Sequence, residues 1–342
     1  MELMILGIDL GKNTFHLHGQ DKAGHMVLRR KVSRQQLLPT LVQIPRCLVV
    51  MEACAGSHYL ARKAIELGHD AKLIAPQYVK PFVKSNKNDF IDAEAICEAA
   101  RRPTMRFVAI KTLDQQALAV LHRMRDGFVK DRTRCMNQVH GFLLEFGLVV
   151  SKGHAGMRQL ANLLDEKREQ LPQRFIHLLE RLHAHYLDLS HQIDELEREC
   201  TWLLHEDEAG RRLLTVPGIG PVTASLMLSL VGNARQYANG RHMAASLGLV
   251  PKQHSTGGKA TLLGISKRGD KNLRRLLVQG ARAVLIQSHR HDDALNDWIR
   301  RLMARRHTNV ATVALANKIA RIAWAVLSKE ISYEPRLING AT

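Results

Sequence analysis

Four carboxylates lie where strands end and a helix begins, the places from which side chains can act on a bound ligand. Asp9 closes the apolar run Ile5-Leu6-Gly7-Ile8 and is followed by Leu10 and Gly11. Glu52 repeats the arrangement after Cys47-Leu48-Val49-Val50-Met51, ahead of Ala53, Ala55 and Gly56. Asp89 and Asp92 follow Asn88, a helix-capping type, and a spacing of three puts them on one helical face. A carboxylate carried to the end of a buried strand is costly unless it is paired or binds a cation. Singly, each has a plain explanation: Asp9 could cap a turn, and first-turn acids favour the helix dipole. Together, four acids on two strands and a helix form a set of hard oxygen ligands that suits Mg²⁺ or Mn²⁺. Two such ions can activate one phosphate oxygen and stabilise another.

The elements that must position these acids follow from the pattern around them. Residues 14–19 alternate apolar and polar, residues 20–24 make a glycine turn and residues 25–32 read as a second strand, so the sheet begins antiparallel. Ser33 is an N-cap for a helix that runs to Gln43 and stops before Pro45. A helix over 57–67 closes at Gly68, and a short strand over 71–75 precedes Pro76. This alternation predicts an α/β unit whose parallel strands present their carboxyl ends on one edge, where open sheets bind ligands. Ile91, Ala95, Ile96 and Ala99 form the apolar stripe beneath Asp89 and Asp92.

Beyond residue 110 the pattern becomes helical and basic. Nine cations (Arg101, Arg102, Arg106, Lys111, Arg123, Arg125, Lys130, Arg132 and Arg134) face three acids before residue 135, and a long helix is predicted over 113–146. Residues 149–156 break it. A seam of Phe175, Leu179, Leu182, Tyr186, Leu189, Ile193, Leu196, Cys200 and Leu203 then keeps the alternating four-three step of a coiled coil. It serves either an internal helical hairpin or a dimer, and an antiparallel arm that also dimerises is expected. From Arg211 a third region begins. Its Thr215-Val216-Pro217-Gly218-Ile219-Gly220-Pro221 segment looks like a helix-hairpin-helix turn, in which Gly218 and Gly220 let backbone amides approach a phosphate. A plain Pro-Gly turn between two core helices is the competing view. Farther on, His254-Ser255-Thr256-Gly257-Gly258 reads as a glycine loop leading into a basic helix. Seven cations (Lys259, Lys267, Arg268, Lys271, Arg274, Arg275 and Arg282) and one acid lie between Gly257 and Arg282, enough for an anion-binding surface. Helices over 273–287 and 312–327 are expected to be scaffold, and the last residues a tail. The expected domains are 1–110, 111–210 and 211–342.

Composition narrows the partners. The 342 residues carry 50 Lys+Arg against 32 Asp+Glu, a formal charge of +18 that favours a polyanion such as nucleic acid. Five cysteines without a C-x-x-C pair indicate neither a disulfide framework nor a zinc site, and the 18 histidines form no evident ligand set. No leader pattern opens the chain and no apolar run reaches the ~18 residues of a membrane span, so a cytoplasmic protein is expected. A sugar-kinase or actin-like ATPase also begins with a Gly-Ile-Asp-Leu-Gly string, but the repeat of that motif expected in a second half is missing here. A non-catalytic nucleic-acid scaffold would leave the four acids unexplained.

The strings GIDLGKNTF, VVMEACAGS and NKNDFIDAEA resemble the acidic motifs of an RNase H-type, Holliday-junction-resolvase-like fold. More closely they resemble the DEDD transposases of bacterial insertion sequences, the bridge-RNA-guided recombinases. The stretch from Ser246 through Arg275 resembles the C-terminal domain of the same family. The resemblance implies an α/β catalytic domain, a helical coiled-coil arm and a mostly helical C-terminal domain. It implies catalysis by Asp9, Glu52, Asp89 and Asp92 with Mg²⁺ or Mn²⁺. It further implies a serine nucleophile in the glycine loop, assigned to Ser255 with Thr256 as the alternative. Donor and target DNA, a structured guide RNA and a homo-oligomer are the implied partners. A junction-resolving nuclease that uses water in place of serine is the alternative activity.

Overall fold

A computed structural model describes residues 2–84 and 88–335. Ser85, Asn86 and Lys87, just before the Asn88 cap, and the expected tail at 336–342 lie outside the described residues. The chain divides into two compact units, Met1–Thr112 and Leu113–Thr342, the second holding both the helical arm and the region that follows it.

In the first unit, β1 (Ile5–Leu10), β2 (Thr14–Gln20) and β3 (Met26–Ser33) form an antiparallel meander. Ser33 then caps α1 (Arg34–Gln43). Its hydroxyl accepts from the Gln36 N–H, while the Gln36 side-chain oxygen accepts from the Ser33 N–H at 3.1 Å, a complete capping box. β4 (Leu48–Glu52), α2 (Ser57–Glu66), β5 (Asp70–Ile74), a short α3 (Pro76–Val79), α4 (Asp89–Ala100) and β6 (Phe107–Val108) follow. The sheet order is β3-β2-β1-β4-β5-β6, with β4 parallel to β1, β5 parallel to β4, and β6 antiparallel to β5. This six-stranded mixed sheet is consistent with an RNase H-like arrangement.

Strand alternation decides what each face of the sheet buries. Leu6, Ile8, Val49 and Met51 meet Leu37 and Leu41 of α1 and Leu60, Ala61 and Ala64 of α2. Val50 and Ile74 meet Ala95, Ile96 and Ala99 of α4 in a separate core. Asp9 is two residues from Gly7, and Glu52 two from Val50, so the period of two sends both carboxylates to the α4 face. Gly7 is what lets α4 come so close. A Cβ there would lie 2.8 Å from Cys97 Sγ and nearer still to the Ala93 carbonyl oxygen. The contact is bonded as well as close: the Gly7 N–H donates to Cys97 Sγ at 3.0 Å, and the Cys97 thiol donates to the His18 carbonyl at 3.2 Å. Burial pushes that thiol up to about 12, so it remains a proton donor.

The second unit begins with α5 (Leu113–Glu145), α6 (His154–Glu166) and α7 (Gln173–Glu206). Arg125 pairs with Glu197, Arg132 bonds Ser190, and the Cys135 thiol donates to Leu182, so α5 and α7 run antiparallel. Leu179 and Tyr186 pack with Met136, Val139 and Leu143, and Leu189 and Ile193 are buried too. The seam is therefore covered within the chain. At its ends Ile176 and Leu204 are buried, whereas Phe175 and Leu203 of the expected seam are half-buried, Phe175 still packing against the same core. Sequence reading missed α6 altogether, although Met157, Leu160 and Leu164 follow the helical spacing with which it enters the same core.

The remaining helices are α8 (Glu208–Leu214), α9 (Pro221–Val231), α10 (Gly240–Ser246), α11 (Lys271–Gln287), α12 (Ala294–Met303) and α13 (Thr308–Lys329). They share one core, in which Leu213, Met227, Leu277, Leu315 and Ile319 are buried. α13 is long and apolar enough by composition to cross a membrane, but Leu315, Ile319 and Ala323 are spent on this core. Between α10 and α11 lie β7 (Pro251–Thr256) and β8 (Lys259–Ile265), an antiparallel pair. The expected glycine loop is thus a hairpin. Gly257 and Gly258 are its two-residue turn, and both have positive φ (55° and 77°), as a primed turn requires. Sequence reading took the glycines for a loop because the flanking residues are exposed on both faces and show no half-buried alternation.

Candidate active site

Three of the four acids converge. Asp9, at the carboxyl end of β1, and Asp89 and Asp92, in the first turn of α4, each bring one carboxylate oxygen within 4.8 Å of the others. The local causes are those described above: Gly7 admits α4 against β1, and Asn88 starts the helix at the right residue by accepting from the Phe90 N–H at 3.0 Å. Ile8 and Met51 are register partners on parallel strands, which makes Glu52 the strand-end neighbour of Asp9. Glu52 is not in the tightest group, yet it feels the charges of both Asp9 and Asp92.

The electrostatics have one sign. Burial, then the Asp92 and Asp89 carboxylates, push the Asp9 carboxyl above its ordinary value, and neighbouring His16 offsets only part of this. Burial followed by Asp9 and Asp92 does the same to Glu52. Like-charged oxygens held this close on a half-buried sheet edge favour a proton or a cation among them. Hard carboxylate oxygens without a thiolate or an amine in the group suit a divalent ion of the magnesium or manganese kind.

His16 belongs to this site, and sequence reading missed it. It lies opposite Asp9 in the β1–β2 register, is buried, and holds Nδ1 3.5 Å from Asp89 Oδ2. Its ring meets Phe90 edge-on at 4.6 Å, and Arg29 covers Phe90 at 4.3 Å. The available signal was the alternation in Thr14-Phe15-His16, which puts His16 across from a strand-end acid once the hairpin register is known.

Ser255 and Thr256 lie in the second unit, on exposed β7. Their side chains point to opposite faces of the ribbon. Ser255 pairs with Ala260 and accepts a hydrogen bond from Gln253 Nε2 at 2.7 Å, whereas Thr256 pairs with Lys259. Of the cations near them, Lys259, Lys267, Arg268 and Lys271 are exposed. Arg274 donates to the Leu247 and Arg268 carbonyls, and Arg275 to Asp126 at 3.0 Å, so these two hold the fold together. In the basic tract, Arg101 ties α4 to the β2–β3 turn, and Arg125, Lys130 and Arg134 have carboxylate partners. Gly218, with φ at 84°, crosses against Gly280 of α11, where a Cβ would lie 3.0 Å from its backbone. Gly220 is exposed at the N-terminus of α9.

Comparison with known proteins gives this geometry a lineage. Residues 6–147 match the DEDD model of IS110-type transposases, and residues 210–296 match the model described as Transposase IS116/IS110/IS902 family. The transposase for insertion sequence element IS1328 of Yersinia enterocolitica is 53% identical over 325 residues, covering 95% of this chain and 97% of that protein. A probable family 20 transposase of Pseudomonas aeruginosa is 48% identical, covering 98% and 100%. The transposase for insertion sequence element IS1111A of Coxiella burnetii is 40% identical, covering 97% and 92%. With both family models matched in this order, the first spanning all four acids, and with relatives at such identity, the chain belongs to the IS116/IS110/IS902 family of insertion-sequence transposases, which are DNA-recombining enzymes.

Proposed function

We propose that this transposase exchanges DNA strands through an active site in two parts, one from each compact unit. The observation that carries the reading is the convergence of Asp9, Asp89 and Asp92, with Glu52 on the adjacent strand end. These four residues would hold Mg²⁺ or Mn²⁺, which when bound supplies Lewis-acid polarisation of a phosphate and neutralises developing charge. His16 orients the Asp89 carboxylate from the side, and Phe90 holds His16 in turn.

Ser255 Oγ attacks the DNA phosphorus. An Oγ–P bond forms, the bond from phosphorus to the departing deoxyribose oxygen breaks, and the serine proton ends on the released hydroxyl. Attack by the hydroxyl of the partner strand reverses the step on a new strand and returns the serine. The phosphoserine ester conserves the bond, so no external energy source is needed. Lys259, Lys267, Arg268 and Lys271 are exposed around the hairpin and can hold the phosphate. Thr256 is the second candidate, favoured by its pairing with Lys259.

The quartet belongs to the first unit and the serine to the second, an arrangement that suits completion of the site by another copy of the chain. Exposed Phe142, Leu144, Val149 and Leu178, near the end of the α5–α7 pair, offer an apolar surface for such self-association. The family resemblance supports a structured guide RNA that selects donor and target DNA, and the +18 charge is compatible with binding both nucleic acids. The test is to stop a reaction under denaturing conditions and map DNA-linked peptides. A peptide joined through Ser255 supports the reading, and one joined through Thr256 moves the nucleophile by one residue. Strand cleavage with no adduct returns the chemistry to water at the carboxylates; binding without any cleavage leaves a scaffold.

A further inference from the structure

The second unit also contains an open groove of about 1400 Å³ between α10, the root of the β7–β8 hairpin, α12 and α13. That exceeds the ~300–1,000 Å³ of small-molecule clefts. Its lining combines Trp298 and Trp324 with Arg241, Lys267, Lys318 and Arg321, and includes no acid. Lys318 Nζ sits 4.2 Å from the centre of the Trp298 ring, and the Trp324 indole N–H donates to the Tyr237 carbonyl at 3.1 Å, which fixes that ring. Among the described residues none of the four cations has a carboxylate partner, unlike Arg125, Lys130, Arg275 and Arg300 in the same unit. Unpaired cations beside half-buried aromatic rings are complementary to a phosphate chain with free base faces.

We infer that this groove binds an unpaired stretch of the DNA strand that Ser255 attacks, its bases against Trp298 and Trp324 and its phosphates on the four cations. In a duplex the base faces are already stacked on one another, so aromatic side chains select single strands. The identity of the strand depends on the serine reading above and on position. Pro251 and Ile265, which line the groove, form the first pair of the hairpin that carries Ser255. Four residues of strand separate Pro251 from Ser255, about 13 Å at ~3.3 Å per residue. A DNA strand leaving the groove covers that distance within about four stacked nucleotides at ~3.4 Å each.

The experiment uses the full chain with Trp202→Phe, which removes the exposed indole of α7 and leaves Trp298 and Trp324 as the reporters. A short single-stranded oligodeoxynucleotide is titrated against its duplex and against the same sequence as RNA. Saturable quenching by the single-stranded DNA is expected. Trp298→Ala should weaken that binding by roughly fivefold to a hundredfold, the effect of losing one base–aromatic stack. Duplex affinity should change less than about twofold on the same scale. Trp298→Phe, which keeps a ring, should restore most of the single-strand affinity and controls for folding. Absence of quenching, equal quenching by duplex, tighter binding of RNA than of DNA, or an unaffected Trp298→Ala variant overturns the inference. The two readings fail separately. A Ser255-linked adduct without quenching refutes the groove alone, while quenching without any adduct refutes the serine and, with it, the identity of the bound strand.

Discussion

Replacing Gly7 by alanine tests whether the approach of α4 to β1 builds the carboxylate site. The added methyl would lie 2.8 Å from Cys97 Sγ, where ordinary contact begins at 3.4 Å, and it would press harder on the Ala93 carbonyl oxygen. The helix must therefore retreat by at least about 0.6 Å, carrying Asp89 and Asp92 with it. Overpacking of this kind costs about 1–3 kcal/mol, against ~0.4–1 kcal/mol gained by restricting the unfolded glycine. Packing wins, and melting of the first unit should fall by roughly 5–10 °C. A misplacement of 1 Å lowers catalysis ~100-fold, so a retreat of this size should reduce strand cleavage about tenfold or more. The assay is thermal denaturation followed by circular dichroism, with cleavage of a labelled donor strand measured in parallel. Gly127→Ala, on α5 with open space around it, is the control and should be neutral or slightly stabilising, by up to ~1 kcal/mol. A Gly7→Ala protein that melts and cuts like the parent would refute the reasoning.

Four further outcomes follow from the same structure. Mn²⁺ at 100 times its dissociation constant should stabilise the first unit by about 2.7 kcal/mol, and Asp9→Asn should abolish that shift along with cleavage; a metal response that survives the change would remove Asp9 from the ligand set. In chelator, the raised proton affinities of Asp9 and Glu52 mean that the folded state binds protons more tightly than the unfolded one. Stability should accordingly fall as pH rises above their ordinary values of 3.8 and 4.5, and apparent metal affinity should rise across the same window; calorimetric melts at several pH values would expose a flat or opposite trend. Leu189→Asp places a charge between α5 and α7 and should lose helicity together with stability; a folded, fully helical variant that merely changes oligomeric state would contradict the internal seam. Nucleic-acid affinity should fall steeply with salt, by about 0.9 log unit per log unit for each phosphate neutralised on duplex, and a flat salt response would argue against the basic surface.

Much of the first unit was legible because its signals are local. Ser33 with Gln36, Asn88 before Asp89, and apolar strands ending in acids are all patterns within a few residues of one another. Elsewhere local reading misjudged what it could not see. The β7–β8 ribbon has no buried face, so strand alternation was absent and only its Gly-Gly turn announced it. The α5–α7 seam was read with its periodicity, but a heptad cannot say whose helix covers it; here α5 does, and α6 completes the cover. Arg274 and Arg275 were expected to face a polyanion because they sit in a basic run, while their hydrogen bonds go to the protein itself.

By itself the sequence determined the types of residue that do the chemistry: hard-oxygen ligands at strand ends, hydroxyls beside a glycine turn, and a large excess of cations. Those are properties of side chains and of short-range backbone preference, which a chain carries in any conformation. Only the tertiary structure decided that three of the acids share a space of a few ångströms, because that depends on a glycine at position 7 admitting a helix eighty residues away. It also decided that His16 joins them, that Gly218 meets Gly280, and that four unpaired cations and two tryptophans line one groove. Such meetings are set by strand register and close packing between distant segments, and no local pattern encodes them.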